Sequence, residues 1–317
     1  MNSYSDKARE AAAQVNKIII GKEDKVKEIL LAFLADGHIM LEDIPGVGKT
    51  TLALAFSKVL GLECNRVQFT PDVMPSDLTG FSIYRKEDEK FVYQPGSVFC
   101  NLLLADEINR TSPKTQSALL EVMEERRVTS EGVTRDVPKP FLVIATQNPF
   151  GSAGTQYLPD SQIDRFMISM SIGYPDYESE LRMAKEIDIT DKQESLKPVL
   201  TREELIALQS EIHKVYISDA IYEYILNLVT ATRGHKYLEK GAGPRATIAL
   251  VKMSKAAAWY DGREFVTPGD VLEQLPYVIS HRIYPGMTAG AREISKQEII
   301  DEIAMSIEKP PMGDKRR

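Results

Sequence analysis

The sequence predicts an α/β protein, a parallel sheet covered by helices and followed by a wholly helical C-terminal part. Three observations carry this. Five short apolar runs, HIMLE (38–42), RVQFT (66–70), NLLLAD (101–106), FLVIAT (141–146) and FMISMSI (166–172), are nearly unbroken, with helical patterns between them. Runs of that length and spacing suit strands buried on both faces, as parallel strands are when their crossover helices cover the sheet. Beyond GYPD at 173–176 no such run recurs, and the pattern reads as helices over 176–187, 201–215, 218–232, 244–260 and 268–281.

Taken in order, GKEDKVKEILLAFLADG (21–37) places Val26, Ile29, Leu30, Phe33 and Leu34 on one helical stripe, which Gly37 ends. The first apolar run then leads through a glycine-bearing turn into another helix, in IMLEDIPGVGKTTLALAF (39–56). Two inserts interrupt the alternation. FSIY and KFVYQ flank a charged turn, and Ser130, Glu131 and Gly132 separate two β-prone arms, so both read as hairpins standing off the sheet. Before the second, Ser112 can cap a helix, Pro113 suits its first turn, and Ala118, Leu119, Val122 and Met123 form its buried face. The polar stretch DITDKQESLKPVLT (188–201) is a natural soft joint. We place the domain change near residue 176, giving 1–176 and 177–317, with a mobile tail, EKPPMGDKRR.

Composition narrows the function. The 317 residues, 43% hydrophobic and 27% charged, are those of a folded globular chain. Thirty-nine basic against 46 acidic residues leave a net charge of −7, with no general attraction for a phosphate backbone, so nucleic acid is not expected as a partner. Cys64 and Cys100 form neither a Cys-x-x-Cys pair nor a disulfide pattern, and His38, His213, His235 and His281 lack zinc-ligand spacing. No apolar run approaches the ~18 residues that span a bilayer, and the N-terminal stretch lacks a signal-peptide core, so a cytoplasmic protein is expected.

The chemistry gathers at strand ends. A helix N-terminus offers N–H groups and the positive end of its dipole to an anion. In DIPGVGKTT, Gly46 and Gly48 let the backbone wrap a phosphate, Lys49 neutralises its β/γ oxygens, and Thr50 offers a hydroxyl to magnesium. Asp43 stands where the G-x-x-x-x-G-K-[ST] pattern has its first glycine. LLLADE ends in two carboxylates suited to a metal's water shell, Asp106, and to an attacking water, Glu107. FLVIATQNP brings Asn148 to the end of a third strand, where an amide can orient water against a γ-phosphate; an Asn-Pro turn is its plainer role. Arg245 follows Pro244 into the first turn of a helix, against the dipole, a placement explained by a guanidinium reaching from the helical part to the nucleotide; a surface ion pair is its plainer role. For Arg165 in LPDSQIDRF the plain role is an ion pair with Asp160 or Asp164.

These motifs in this order resemble the MoxR family of AAA+ ATPases, and the resemblance spans nearly the whole chain; LLLADEINRTSPKTQSALLEVMEE, VIATQNP and GTQYLPDSQIDRF are its most specific parts. The resemblance implies a five-stranded αβα core with a helical lid, ATP and Mg²⁺ as ligands, and a ring, usually a hexamer. Matched by motif, Pro45, Gly46, Val47, Gly48, Lys49, Thr50 and Thr51 fall in Walker A, with Asp106 and Glu107 in Walker B. Asn148 matches sensor 1, Arg245 sensor 2, and Arg165 the arginine finger that enters the neighbouring copy's site. The hairpins match inserts that face the pore and touch clients. Members of this family act as chaperone-like remodellers of protein complexes, often with von Willebrand factor A domain partners. A nucleic-acid motor and a nucleotide-dependent binding switch are the alternatives; the acidic charge argues against the first and Glu107 against the second.

Overall fold

The structure is a computed structural model that describes residues 3–43, 47–147, 158–185 and 196–311. Strands β1 (Ile39–Glu42), β2 (Cys64–Gln68), β5 (Leu102–Asp106), β8 (Leu142–Gln147) and β9 (Ile168–Met170) form one parallel sheet in the order β2-β5-β8-β1-β9. The unbroken apolar runs follow from pleating between two covered faces. Ile39, Leu41, Leu102, Leu104, Leu142 and Ile144 enter one core with helices α1 (Ser3–Asn16), α2 (Glu23–Leu34) and α3 (Lys49–Val59). Met40, Leu103, Ala105, Val143 and Ala145 enter another with α5 (Pro113–Glu125), itself preceded by the short α4 (Pro75–Thr79).

Two local expectations change, and the two hairpins, which do stand off the main sheet, gain a contact. Strand β2 begins two residues earlier than its apolar run and is only half-buried: it carries the polar Asn65, Arg66 and Gln68 at one edge of the sheet, whereas β9 at the other edge is buried. On α5, Thr115 and Gln116 are buried and Ala118 only partly, since Thr115 donates to the carbonyl of Val73 and Gln116 to those of Ile108 and Thr111. The hairpins β3–β4 (Phe81–Arg85, Lys90–Gln94) and β6–β7 (Arg127–Ser130, Val133–Asp136) lean on one another: Glu131 accepts hydrogen bonds from Ser82, and the Arg135 guanidinium lies 3.7 Å from the Tyr93 ring centroid.

After β9 and the short α6 (Asp160–Ile163) that precedes it, the chain is largely helical: α7 (Tyr177–Lys185), α8 (Arg202–Ile212), α9 (Asp219–Ala231), α10 (Pro244–Tyr260), α11 (Pro268–Ile279), α12 (Met287–Ala291) and α13 (Lys296–Ser306). Thr201, Thr267 and Ser295 open α8, α11 and α13 with reciprocal capping boxes. One addition is a two-stranded ribbon, β10 (Leu238–Lys240) against β11 (Tyr284–Pro285). Leu250, Met253 and Val278 of this part belong to the same apolar core as α2 and α3. Residues 186–195, in the polar joint, and 312–317, in the tail, lie outside the described residues.

Candidate nucleotide site

At the C-terminal edge of the sheet, β1 ends beside β8, and β8 beside β5. Pro45 and Gly46 lie outside the described residues. Gly48 takes φ +86° as the residue that opens α3, and a Cβ built there would meet nothing within 4 Å among the described residues. Its requirement is therefore conformational, and the space above it is open to an anion. Val47, Thr50 and Thr51 are half-buried around it. Lys49 is 8% exposed, and its ammonium donates to the Asp43 carbonyl at 3.1 Å.

Asp43, the departure from the glycine pattern, has a structural reason. It is 3% exposed, and its carboxylate accepts from Ser171 Oγ (2.6 Å), Ile172 N (2.7 Å) and Gly173 N (3.0 Å). The side chain thus ties the start of the phosphate turn to the segment leaving β9. A glycine cannot make that tie.

The two carboxylates at the end of β5 are held differently. Asp106 is buried, accepting from Thr146 Oγ1 at 2.6 Å and from Arg66 Nη2 at 2.8 Å. Glu107 sits at φ +56°, a left-handed conformation uncommon for a residue with a side chain, which turns it off the strand line. Its N–H donates to the same Thr146 hydroxyl at 2.8 Å, and its carboxylate pairs with Arg110 at 2.7 Å. Thr146 therefore joins both carboxylates. Gln147 beside it leaves its buried Oε1 without a partner among the described residues. Asn148 lies outside them. The Thr50 hydroxyl and the Asp106 carboxylate are hard oxygen donors, the kind magnesium takes while keeping most of its waters, so the residues present fit a magnesium–triphosphate ligand.

Arg165 and Arg245 lie at the other edge. Met167 N donates to the carbonyl of His38, just before β1, and His38 Nε2–H donates to the Met123 carbonyl near the end of α5. Val143 N–H donates to His38 Nδ1, so the ring is neutral; burial, first, and the Arg126 charge hold its pKa well below the usual histidine range. Beside this joint Glu124 pairs with Arg245 Nη2 at 2.5 Å and with Arg165 Nε at 3.3 Å. With His38 and Met123 these three line a cleft of about 80 Å³. β1 separates the two edges by its own length, roughly 13 Å at ~3.3 Å per residue. The structure thus does not bring Arg245 to the chain's own phosphate turn: α10 docks its first turn against α5, and Glu124 offsets the charge that the dipole disfavours. Nor does Arg165 pair with Asp160 or Asp164, which are taken by Lys240 and Arg282.

Thr146, Arg66 and Glu124 were missed in the sequence. Thr146 alone left a signal, lying two residues before Asn148 on the same strand run.

Comparison with known proteins places this geometry. Residues 38–168 match the ATPase family associated with various cellular activities (AAA), and residues 230–303 match the AAA lid domain. The chain is 43% identical to the uncharacterised protein YeaC of Bacillus subtilis, covering 95% of this chain and 94% of that protein. It is 38% identical to Chaperone MoxR1 of Mycobacterium tuberculosis, covering 96% and 82% respectively. The crystal structure of an ATPase candidate from Cytophaga hutchinsonii superposes with a TM-score of 0.91 at 36% identity, over 97% of this chain and 96% of that one. With its parallel-sheet core, its helical lid and these relatives, the chain belongs to the MoxR family of AAA+ ATPases.

Proposed function

We propose that this MoxR-type ATPase hydrolyses ATP to ADP and phosphate at the C-terminal sheet edge, between adjoining copies of the chain, and uses the cycle to remodel or activate partner protein complexes. In this reading 1–176 is the nucleotide-binding core and 177–317 the lid, and the protein works in the cytoplasm. Pro45, Gly46, Val47, Gly48 and Thr51 wrap the phosphates with backbone N–H groups. Lys49 leaves the Asp43 carbonyl for the β/γ oxygens. Thr50 and Asp106 hold magnesium, which when bound neutralises charge on the β- and γ-phosphates. Glu107, turned off its strand and oriented through Thr146, takes the proton of the attacking water, and Asn148 orients that water. Arg165 and Arg245 stabilise transition-state charge in the neighbouring copy's site.

The observation that carries the reading is the split of charge across the sheet. Lys49, Asp106 and Glu107 share one edge and the two arginines share the other, so no copy can close its own site. A head-to-tail ring, a hexamer by family resemblance, completes each site. Clients are proteins, with von Willebrand factor A domain proteins the partners the family suggests; the exposed Phe81, Tyr84 and Phe91 of the first hairpin supply an apolar contact surface.

The test is Arg165→Ala. Turnover should fall by ~10³ or more while ATP still binds. Mixing that variant with Lys49→Ala protein should restore activity, because each supplies what the other lacks. Unchanged turnover in the arginine variant refutes the reading.

A further inference from the structure

Arg165 is flanked by an arrangement that neither its motif nor the ATPase chemistry requires. Arg282 follows α11 in the lid, and its side chain is only 2% exposed. Its Nε donates to Asp164 Oδ1 at 2.8 Å, and its Nη2 to the carbonyls of Asp164 (3.0 Å) and Phe166 (2.6 Å). Its Nη1 donates to the Met167 carbonyl at 3.1 Å and to that of Val278, in the last turn of α11. All five N–H donors of the guanidinium are used, four of them on residues 164–167. The neighbouring His281 adds a second donor to the Phe166 carbonyl at 3.1 Å. Burial, first, and the adjacent Arg282 charge hold its pKa well below the usual histidine range, and its buried Nδ1 has no partner among the described residues.

The carbonyls before and after Arg165 are therefore gripped from the lid. An isolated buried arginine is costly to desolvate, and one ion pair rarely offsets that cost. Replacing this fork by an apolar side chain would leave the carbonyls of Asp164, Phe166 and Met167 to other donors, so the fork sets the backbone geometry of this segment. Lysine, with three donors on a rotating head, cannot reproduce it.

We infer that Arg282, aided by His281, is a positioning residue through which the lid of each copy sets the placement of its own Arg165 in the neighbouring copy's site. Lid displacement then moves the finger, so the nucleotide state of one site reaches the next through the backbone of residues 164–167. The inference rests on the reading of Arg165 as a residue supplied to a neighbour.

The test uses full-length proteins in ATPase and fluorescent-ATP binding assays. Arg282→Gln should bind ATP at its own intact phosphate turn within about twofold of the parent, yet turn over about 10²-fold more slowly, the effect of an ångström-scale misplacement. Mixed with Lys49→Ala protein, which carries a correctly held finger, it should recover about tenfold; a residue that merely supports its own fold would gain nothing from such a partner. Arg165→Ala mixed with Lys49→Ala is the parallel arm. If that arm gains nothing, the trans reading of Arg165 fails. If it recovers while Arg282→Gln does not, or if Arg282→Gln turns over like the parent, the positioning role is overturned. Should Arg282→Gln be unfolded by circular dichroism, Arg282→Lys carries the same test: slower turnover rescued by the partner supports the role, and parental turnover or no rescue overturns it.

Discussion

Replacing Asp43 probes the tie between the phosphate turn and the strand that leads to the lid. Its carboxylate is buried and accepts three hydrogen bonds, two of them from main-chain N–H groups of Ile172 and Gly173. Hydrogen bonds to a charged acceptor contribute ~1.5–3 kcal/mol each, and an orphaned buried N–H costs ~1–3 kcal/mol. The three share one acceptor and do not add, so Asp43→Ala should cost about 3–5 kcal/mol in all. At ~2–4 °C per kcal/mol for a chain of this size class, the melting temperature falls by about 10 °C. Asp43→Gly restores the general Walker A residue and should fare no better, because it deletes the same acceptor. Asp43→Asn, which keeps one carbonyl oxygen, should lose roughly half as much. Thermal and urea unfolding measure the stability, and fluorescent-ATP titration measures whether the loosened turn also binds more weakly. An Asp43→Gly variant within about 0.5 kcal/mol of the parent, the range of an ordinary surface change, would refute the argument.

Glu28 on α2 is 3% exposed, its buried Oε2 has no hydrogen-bond partner among the described residues, and burial pushes its carboxyl up to about 7 from 4.5. A folded-state pKa above the unfolded one means stability fully present below pH 4.5 and lost as pH rises to about 7. The loss is about 3 kcal/mol, so Glu28→Gln should match the parent at pH 4 and exceed it by up to that amount at pH 8; parallel urea stability from pH 5 to 8 would count against it. Thr146→Val keeps the shape but strands the Glu107 N–H, and should cost about 2 kcal/mol and lower kcat more than it raises KM. An equal loss in stability with unchanged kcat would leave Thr146 a structural residue. Glu107→Gln should retain bound ATP without releasing phosphate in a single-turnover measurement, and rapid phosphate release would remove Glu107 from its role.

Much of this was legible where the determining contacts are local or periodic. The covered strands β1, β5 and β8 announced themselves because both of their faces meet apolar layers; Lys49, Asp106 and Glu107 were singled out by a residue spacing suited to a phosphate, and the fold gathers them at one sheet edge. β2 was misjudged as doubly buried: its run RVQFT is less apolar than the others, and its strand shifts two residues earlier, onto Cys64 and Asn65. α1 went unremarked, since its buried face is mostly alanine and carries little hydrophobic contrast. The β10–β11 ribbon pairs Leu238 with Pro285, across a separation no local pattern records. Asp43 was visible as a departure, but its three partners lie near residue 172 and only folding brings them together. The place of Arg245 depended on where α10 docks, which the first turn of a helix does not encode.

The roughly 13 Å of strand between Lys49 and the arginines has a kinetic corollary. If each site is completed by a neighbour, as proposed, copies associate head to tail, and such contacts propagate until rotation closes the chain of copies. Diluted below the dissociation constant of that contact, the enzyme should then lose specific activity even as each copy stays folded, and regain it on concentration.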